Sequence, residues 1–266
     1  MIDNGYLFAK DKQRLFINTS LGCSGECLYC YLPKLGYGNK NYNDKTISAN
    51  HLFEMLEKST LHLNQDTLIT LGCFSECWDD YNKNETLKII EYFLKKGNQV
   101  QLSTKKKVNK EELLKLIPHI KYYGQFIIFV SSTTISKQNI IEKNTETIER
   151  RFENFNLLKT LNIPIVLYMK PILKNTTIQD LDLYKGYIKY YHIKDVVVGS
   201  IFTNHLHQET VHFSNKNELF YNPIQDEEII LLELSKVCNV YRRSTDVVKY
   251  YKKKQLFITR NSINID

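Results

Sequence analysis

The chain has 266 residues, 42% hydrophobic and 24% charged, an ordinary globular composition with enough chain to bury a sizeable core. It has no run of about 18 apolar residues, and its start, MIDNGYLFAKDKQRLF, lacks the basic-then-apolar pattern of a secretion signal. A membrane span and secretion are therefore not expected, and the cytoplasm is. Lys and Arg outnumber Asp and Glu by 36 to 29, a net charge of +7, and six cysteines are too few for a disulfide scaffold. In a reducing compartment, clustered thiols bind metal or do chemistry.

The first strand-like run is LFINTS (15–20). GCSGECLYCYLPKLG (22–36) follows at once and holds Cys23, Cys27 and Cys30. SANHLFEMLEKSTL reads as a helix with Ser48 as its N-cap. TLITLG (67–72) is the second strand and leads into Cys73 and Cys77. NETLKIIEYFLKKG sets Leu87, Ile90 and Leu94 on one helical face and stops at Gly97. QVQLST (99–104), QFIIFVSS (125–132), IPIVLYMKPI (163–172) and KDVVVGSIF (194–202) read as further strands. Between them Ile148, Phe152, Phe155 and Leu158 recur at helical spacing, and TIQDLDLYKGYIKYY fills the last gap.

Strands alternating with helices imply βαβ units and a parallel sheet. Six units are too few for a closed eight-unit barrel, so the expectation is an α/β fold, a partial (β/α)6 barrel over residues 1–202. Ligands then bind at the carboxyl ends of the strands, where the cysteine loop lies. Residues 203–266 are expected as a capping segment. It would hold a loop with His205 and His207, a helix near Asp226–Val237, and two strand-like arms turned by Ser244, Thr245 and Asp246. From Lys236 to Arg260 the only acid is Asp246, and Tyr241, Tyr250, Tyr251 and Phe257 interleave with the bases. Such a mixture suits a phosphate backbone with stacked bases; a solvated basic face is the plainer alternative.

Three soft thiolates in one tight loop select an iron–sulfur cluster, zinc or copper(I). On a four-iron cluster, three thiolates leave one iron open. Zinc usually takes four ligands from paired C-x2-C knuckles. Cys73 or Cys77 could complete such a set, but a spacing of three and then two residues is unlike a knuckle.

Cys23-x3-Cys27-x2-Cys30, with an aromatic residue before the last cysteine, resembles the radical S-adenosylmethionine superfamily. CLYCYLPKLGYGNKNY (27–42) resembles the cluster loop of the spore photoproduct lyase family, with Tyr29 and Tyr31 flanking Cys30 and Leu35-Gly36 beyond. LGCFSE (71–76), Thr104-Lys105, Ser131 and Arg151 fall at the family's later positions, so the resemblance covers about residues 15 to 175. It implies a [4Fe–4S] cluster on Cys23, Cys27 and Cys30, with S-adenosylmethionine on the open iron. It further implies cleavage of that cofactor to a 5′-deoxyadenosyl radical, and an electron donor such as flavodoxin or ferredoxin.

By the same resemblance, Cys73 returns a hydrogen atom to the product radical and Tyr31 relays the radical back. Cys77 stays a second candidate, and a small buried hydrophobe is the bland alternative for Cys73. Tyr29 would pack on the cofactor, Ser75 and Glu76 would hold its amino group, Lys105 and Arg151 its carboxylate, and Ser131 its ribose. For Arg151, a surface salt bridge among Glu146, Glu149 and Glu153 is an equal alternative. The implied substrate is a thymine-dimer lesion in DNA, met by Arg242, Arg243, Lys249, Tyr250, Tyr251 and Lys252. The family's N-terminal extension and Arg-Tyr-Gly hairpin have no match in these residues. A peptide or another nucleic acid therefore stays open as substrate, as does a non-enzymatic cluster or zinc module that binds nucleic acid.

Overall fold

A computed structural model describes residues 5–11, 13–37, 46–61, 63–203, 209–211 and 219–263. Residues 38–42 of the cysteine motif, and His205 and His207, lie outside them. Strand β1 (Leu7–Asp11) pairs antiparallel with β2 (Arg14–Ile17). Next come β3 (Leu68–Leu71), β4 (Val100–Thr104), β5 (Phe126–Ser131), β6 (Ile165–Ile172) and β7 (Asp195–Thr203). From β2 to β7 the strands lie side by side in chain order, all parallel. This is the expected six-stranded α/β core.

Helices α1 (Ala49–Glu57), α2 (Lys83–Lys96), α3 (Lys110–Leu114), α4 (Gln138–Ile141), α5 (Ile148–Phe152), α6 (Leu157–Leu161) and α7 (Leu181–Tyr190) form the crossovers. Their limits follow local chemistry. Ser48 Oγ accepts from His51 N at 3.2 Å at the start of α1, and Gly97, at φ +93°, closes α2.

Along β5, β6 and β7 both faces of the sheet carry apolar cores, so these strands read as largely apolar runs. Leu15, Ile69, Leu102, Ile128, Leu167 and Val198 point to the helical layer and form the main core with residues such as Leu52, Phe93 and Phe152. The alternate positions Leu68, Ile127, Phe129, Val166 and Val197 point the other way. Each such side chain contributes about 1.5–3 kcal/mol by leaving water.

The C-terminal part differs from expectation. Strand β8 (Glu209–Val211) pairs with β9 (Leu219–Asn222), and β9 pairs with the carboxyl end of β7, both antiparallel. Helix α8 (Gln225–Leu234) falls where a helix is expected, but β10 (Asn239–Tyr241) joins the main sheet, parallel to β7. The segment after it forms no second strand-like arm: Ser244 opens helix α9 (Ser244–Ile263). The reason is a one-sided apolar face. Val247, Val248 and Tyr251 pack on Ile127, Phe129, Val166 and Val197, so α9 covers the sheet face opposite the other helices. Asp246 in the first turn suits the positive end of a helix. No helix among the described residues is long and apolar enough to cross a membrane.

Candidate active site

A cavity of about 1190 Å³ opens at the carboxyl ends of the parallel strands. Cys23, Cys27 and Cys30, in the loop after β2, all line it and are half-buried. Gly25 lets this loop close up. Its N–H donates to Cys23 Sγ at 3.3 Å. A Cβ there would lie 3.1 Å from Thr145 Cγ2 and 3.4 Å from Cys23 Sγ. Burial pushes the Cys23 thiol up to about 12, with Glu76 adding to the effect, and burial also raises Cys27 and Cys30. A bound metal centre would have to displace those protons. Among the described residues no three His, Cys, Asp or Glu side chains converge on a single ion. Three thiols lining one cavity are the donor type that suits an iron–sulfur cluster.

Cys73 follows β3 on the same wall. Tyr31 Oη donates to the Cys73 carbonyl oxygen at 2.6 Å and lies 3.8 Å from Cys73 Sγ. Burial pushes the Cys73 thiol up to about 11, against a lowering by Tyr31 and Arg14, so it keeps its hydrogen at neutral pH. The two cysteines of this loop part company. Cys77 is buried in the main core, with Sγ 3.7 Å from the Ser103 carbonyl, and does not line the cavity. The turn that leads from β3 into Cys73 needs Gly72, at φ +79°, because a Cβ there would lie 2.8 Å from Ser103 O.

Ser75, Glu76, Lys105, Ser131, Tyr29 and Tyr31 also line the cavity. Ser75 Oγ is buried without a hydrogen-bond partner, so a polar ligand would satisfy it. Glu76 is already engaged. It accepts from Thr104 Oγ1 at 2.6 Å, Trp78 N at 3.1 Å and Lys105 N at 2.8 Å, which ties the β3 loop to the end of β4. Burial nevertheless holds its carboxyl above the usual range. The Lys105 ammonium stands 5.7 Å from the Tyr29 ring centroid.

Arg151 is placed differently from either expectation. It is neither on the surface nor on the cavity wall, but fully buried and ion-paired with Glu142. Its other N–H bonds go to the carbonyls of Ser131 and Glu146, at 3.1 and 2.8 Å, and to Thr145 Oγ1. With four of its five N–H groups taken by protein and the side chain off the cavity wall, this guanidinium has no fork left for a cofactor carboxylate.

The C-terminal bases also divide. Arg243 and Lys249 are exposed and line the cavity. Arg242 lines it too but pairs with Glu228 at 2.7 Å and Glu227 at 3.3 Å, and Lys252 with Asp66 at 2.6 Å. Tyr250 is 40% exposed. Tyr251 is a correction: it is a core residue whose hydroxyl donates to Asp195 at 2.6 Å, so its ring cannot stack on a base.

No protein-family model and no curated protein sequence matches the chain. Solved structures do. Spore photoproduct lyase complexed with dinucleoside spore photoproduct superposes with a TM-score of 0.57 at 13% identity, over 85% of this chain and 75% of that one. A spore photoproduct lyase variant with bound AdoMet and dinucleoside spore photoproduct gives 0.60 at 12% identity, over 88% and 78%. The chain has the spore photoproduct lyase fold. Streptococcus suis SuiB bound to S-adenosylmethionine shares it, with a TM-score of 0.57 at 10% identity, over 87% of this chain and 50% of that one.

Within the spore photoproduct lyase fold, several residues that line the cavity or brace its cysteine loop escape the sequence motifs. Asp79 accepts from Ser24 Oγ at 2.8 Å and pairs with Lys106 at 2.8 Å, fixing the cysteine loop from one side. Glu142 takes the Tyr29 hydroxyl from the other. Thr70, Gln101 and Tyr168 stand on the inner face of β3, β4 and β6, and Thr70 Oγ1 accepts from both Arg14 and Gln101. Their signal lies in the strands: polar side chains at alternate positions of otherwise apolar runs.

Proposed function

We propose that the chain is a cytoplasmic radical S-adenosylmethionine enzyme that splits a thymine-dimer lesion, the spore photoproduct, in DNA. The observation that carries this reading is that three thiols, a separate thiol and a tyrosine hydroxyl line one cavity, the hydroxyl 3.8 Å from the separate sulfur. Cys23, Cys27 and Cys30 would hold a [4Fe–4S] cluster, and Ser75, Lys105, Ser131 and Tyr29, which line the same cavity, would meet S-adenosylmethionine. When bound, such a cluster passes one electron, from a donor such as flavodoxin or ferredoxin, to the sulfonium of S-adenosylmethionine, which breaks a carbon–sulfur bond. Cys73 then gives the hydrogen of its S–H bond to a carbon radical of the product and is left as a thiyl. Tyr31, 3.8 Å from that sulfur, returns a hydrogen to it and carries the radical on its ring. Arg243 and Lys249 at the cavity rim suit the phosphates of the substrate.

The test is anaerobic. Wild type and Cys73→Ala are loaded with iron and sulfide, reduced with dithionite, and given S-adenosylmethionine and DNA carrying the lesion. Restored thymine from wild type and abortive adducts from the variant are expected. 5′-Deoxyadenosine without thymine would keep the radical chemistry and remove this substrate, turning the search to other nucleic acids and to peptides.

A further inference from the structure

The cysteine loop is gripped from outside by one short segment, residues 141–145. Leu28 N donates to Ile141 O at 2.9 Å. Tyr29 Oη donates to Glu142 Oε1. Asn144 Nδ2 donates to Glu26 Oε2 at 2.9 Å, and the Thr145 methyl closes on Gly25. All four contacts fall within the stretch that carries Cys23, Cys27 and Cys30.

The segment is itself locked by one side chain. Arg151, on α5, pairs with Glu142 and also bonds Thr145 Oγ1, Glu146 O and Ser131 O. It therefore ties the gripping segment to the end of β5. Glu142 and Arg151 are both 0% exposed, and neither lines the cavity. The arrangement is costly unless it is used. A buried ion pair contributes little net stability against an apolar pair of the same volume, yet it fixes geometry closely because neither charge tolerates losing the other. The Tyr29 hydroxyl donates to the same carboxylate, so Glu142 joins Arg151 to the cysteine loop.

We infer that Glu142 and Arg151 are positioning residues: acting through Tyr29, they set the place of Cys27 and Cys30 and so govern how firmly the cysteine loop retains an iron–sulfur cluster. The inference rests on the function proposed above. Outer partners that orient metal ligands commonly change metal affinity about 10–100-fold when removed. Tyr29 is the link that can be cut without touching the ion pair. Glu142→Gln keeps the shape and removes the charge facing Arg151.

The experiment follows iron, not turnover. Wild type, Tyr29→Phe, Glu142→Gln and the control Tyr184→Phe are loaded with iron and sulfide anaerobically, and release of iron to a ferrous chelator is timed. Tyr184 is a buried core tyrosine whose hydroxyl bonds Ser132 and no residue of the cysteine loop, so its loss reports on stability without cutting the link to that loop. Tyr29→Phe should release iron about 10-fold faster than wild type, and Tyr184→Phe, which loses a comparable buried hydrogen bond, at the wild-type rate. The electron paramagnetic resonance signal of reduced Tyr29→Phe should also differ from that of wild type. Glu142→Gln should release iron at least as fast as Tyr29→Phe; where it fails to fold, Tyr29→Phe decides alone. Release from Tyr29→Phe at the wild-type rate, or equal acceleration in Tyr184→Phe, overturns the inference. A wild type that takes up no iron overturns the proposed function itself, which the variants cannot do.

Discussion

Tyr31 Oη lies 2.6 Å from the carbonyl oxygen of Cys73 and 3.8 Å from its sulfur. One hydroxyl thus anchors the backbone of the donor cysteine and stands next to its thiol. Tyr31→Phe should separate the two roles. Loss of one hydrogen bond costs about 1 kcal/mol, or a melting temperature lower by about 2–4 °C. The larger effect should fall on S-adenosylmethionine consumed per product, which should rise because the thiyl loses its nearest hydrogen source. Mass spectrometry of both products measures that ratio, and an unchanged ratio would remove the relay.

The two cysteines of the β3 loop should behave oppositely. Cys77→Ala empties a core position and should cost about 1 kcal/mol without changing the product mixture. Cys73→Ala should leave the melting temperature within about 2 °C and divert product to adducts. Thermal unfolding together with product analysis checks both, and adducts from Cys77→Ala would reverse the assignment.

The pH dependence follows from burial of the Cys73 thiol. Its folded value, about 11, lies above the usual thiol range. The folded chain therefore holds this proton more tightly than the unfolded one, and that stabilisation is lost as pH rises through the usual thiol range towards about 11. The donor keeps its hydrogen over the same range. The ratio of thymine to adduct should stay flat from neutral pH to about 10. A fall near the ordinary thiol value of about 8.5 would show that Cys73 is not the donor or is not buried during turnover.

Gly72→Ala should be among the most damaging single-methyl changes. The residue sits at φ +79°, and the new Cβ would meet Ser103 O at 2.8 Å. The backbone conformation alone costs about 1–3 kcal/mol for a side-chain-bearing residue, and the contact adds to it. Chemical denaturation measures the loss, and a change below about 0.5 kcal/mol would mean that the loop relaxes freely.

Arg243→Gln, just before α9, with Lys249→Gln on it should weaken binding of a DNA oligonucleotide and flatten its salt dependence, since both side chains line the cavity. Tyr251→Phe should instead lower stability by about 1–3 kcal/mol, leaving Asp195 with one donor fewer, and leave affinity alone. Equal effects of the two changes on affinity would mean that the helix moves as a unit on binding.

The sheet was legible because strands such as β5 and β7 are buried on both faces and carry largely apolar runs, FIIFVS and DVVVGS. The cysteine loop was legible because ligand spacing within one turn survives as sequence spacing. Helix α9 was not. Its Val and Tyr residues favour strands, and only the packing of Val247, Val248 and Tyr251 on the sheet makes the helix the better solution. The role of Arg151 was hidden for another reason. Its acidic neighbours suggest a surface pair, while three of its partners are Glu142 and two backbone carbonyls that the fold brings together. Glu142 itself is 113 positions from Tyr29, a separation that no local pattern spans.

The most direct measurement is the fate of S-adenosylmethionine alone. Protein loaded anaerobically with iron and sulfide is reduced with dithionite, mixed with S-adenosylmethionine, and assayed for 5′-deoxyadenosine and methionine. Wild type should form both in equal amounts, and Cys27→Ala neither. No 5′-deoxyadenosine from iron-loaded wild type, or equal amounts from Cys27→Ala, would contradict a radical enzyme built on Cys23, Cys27 and Cys30.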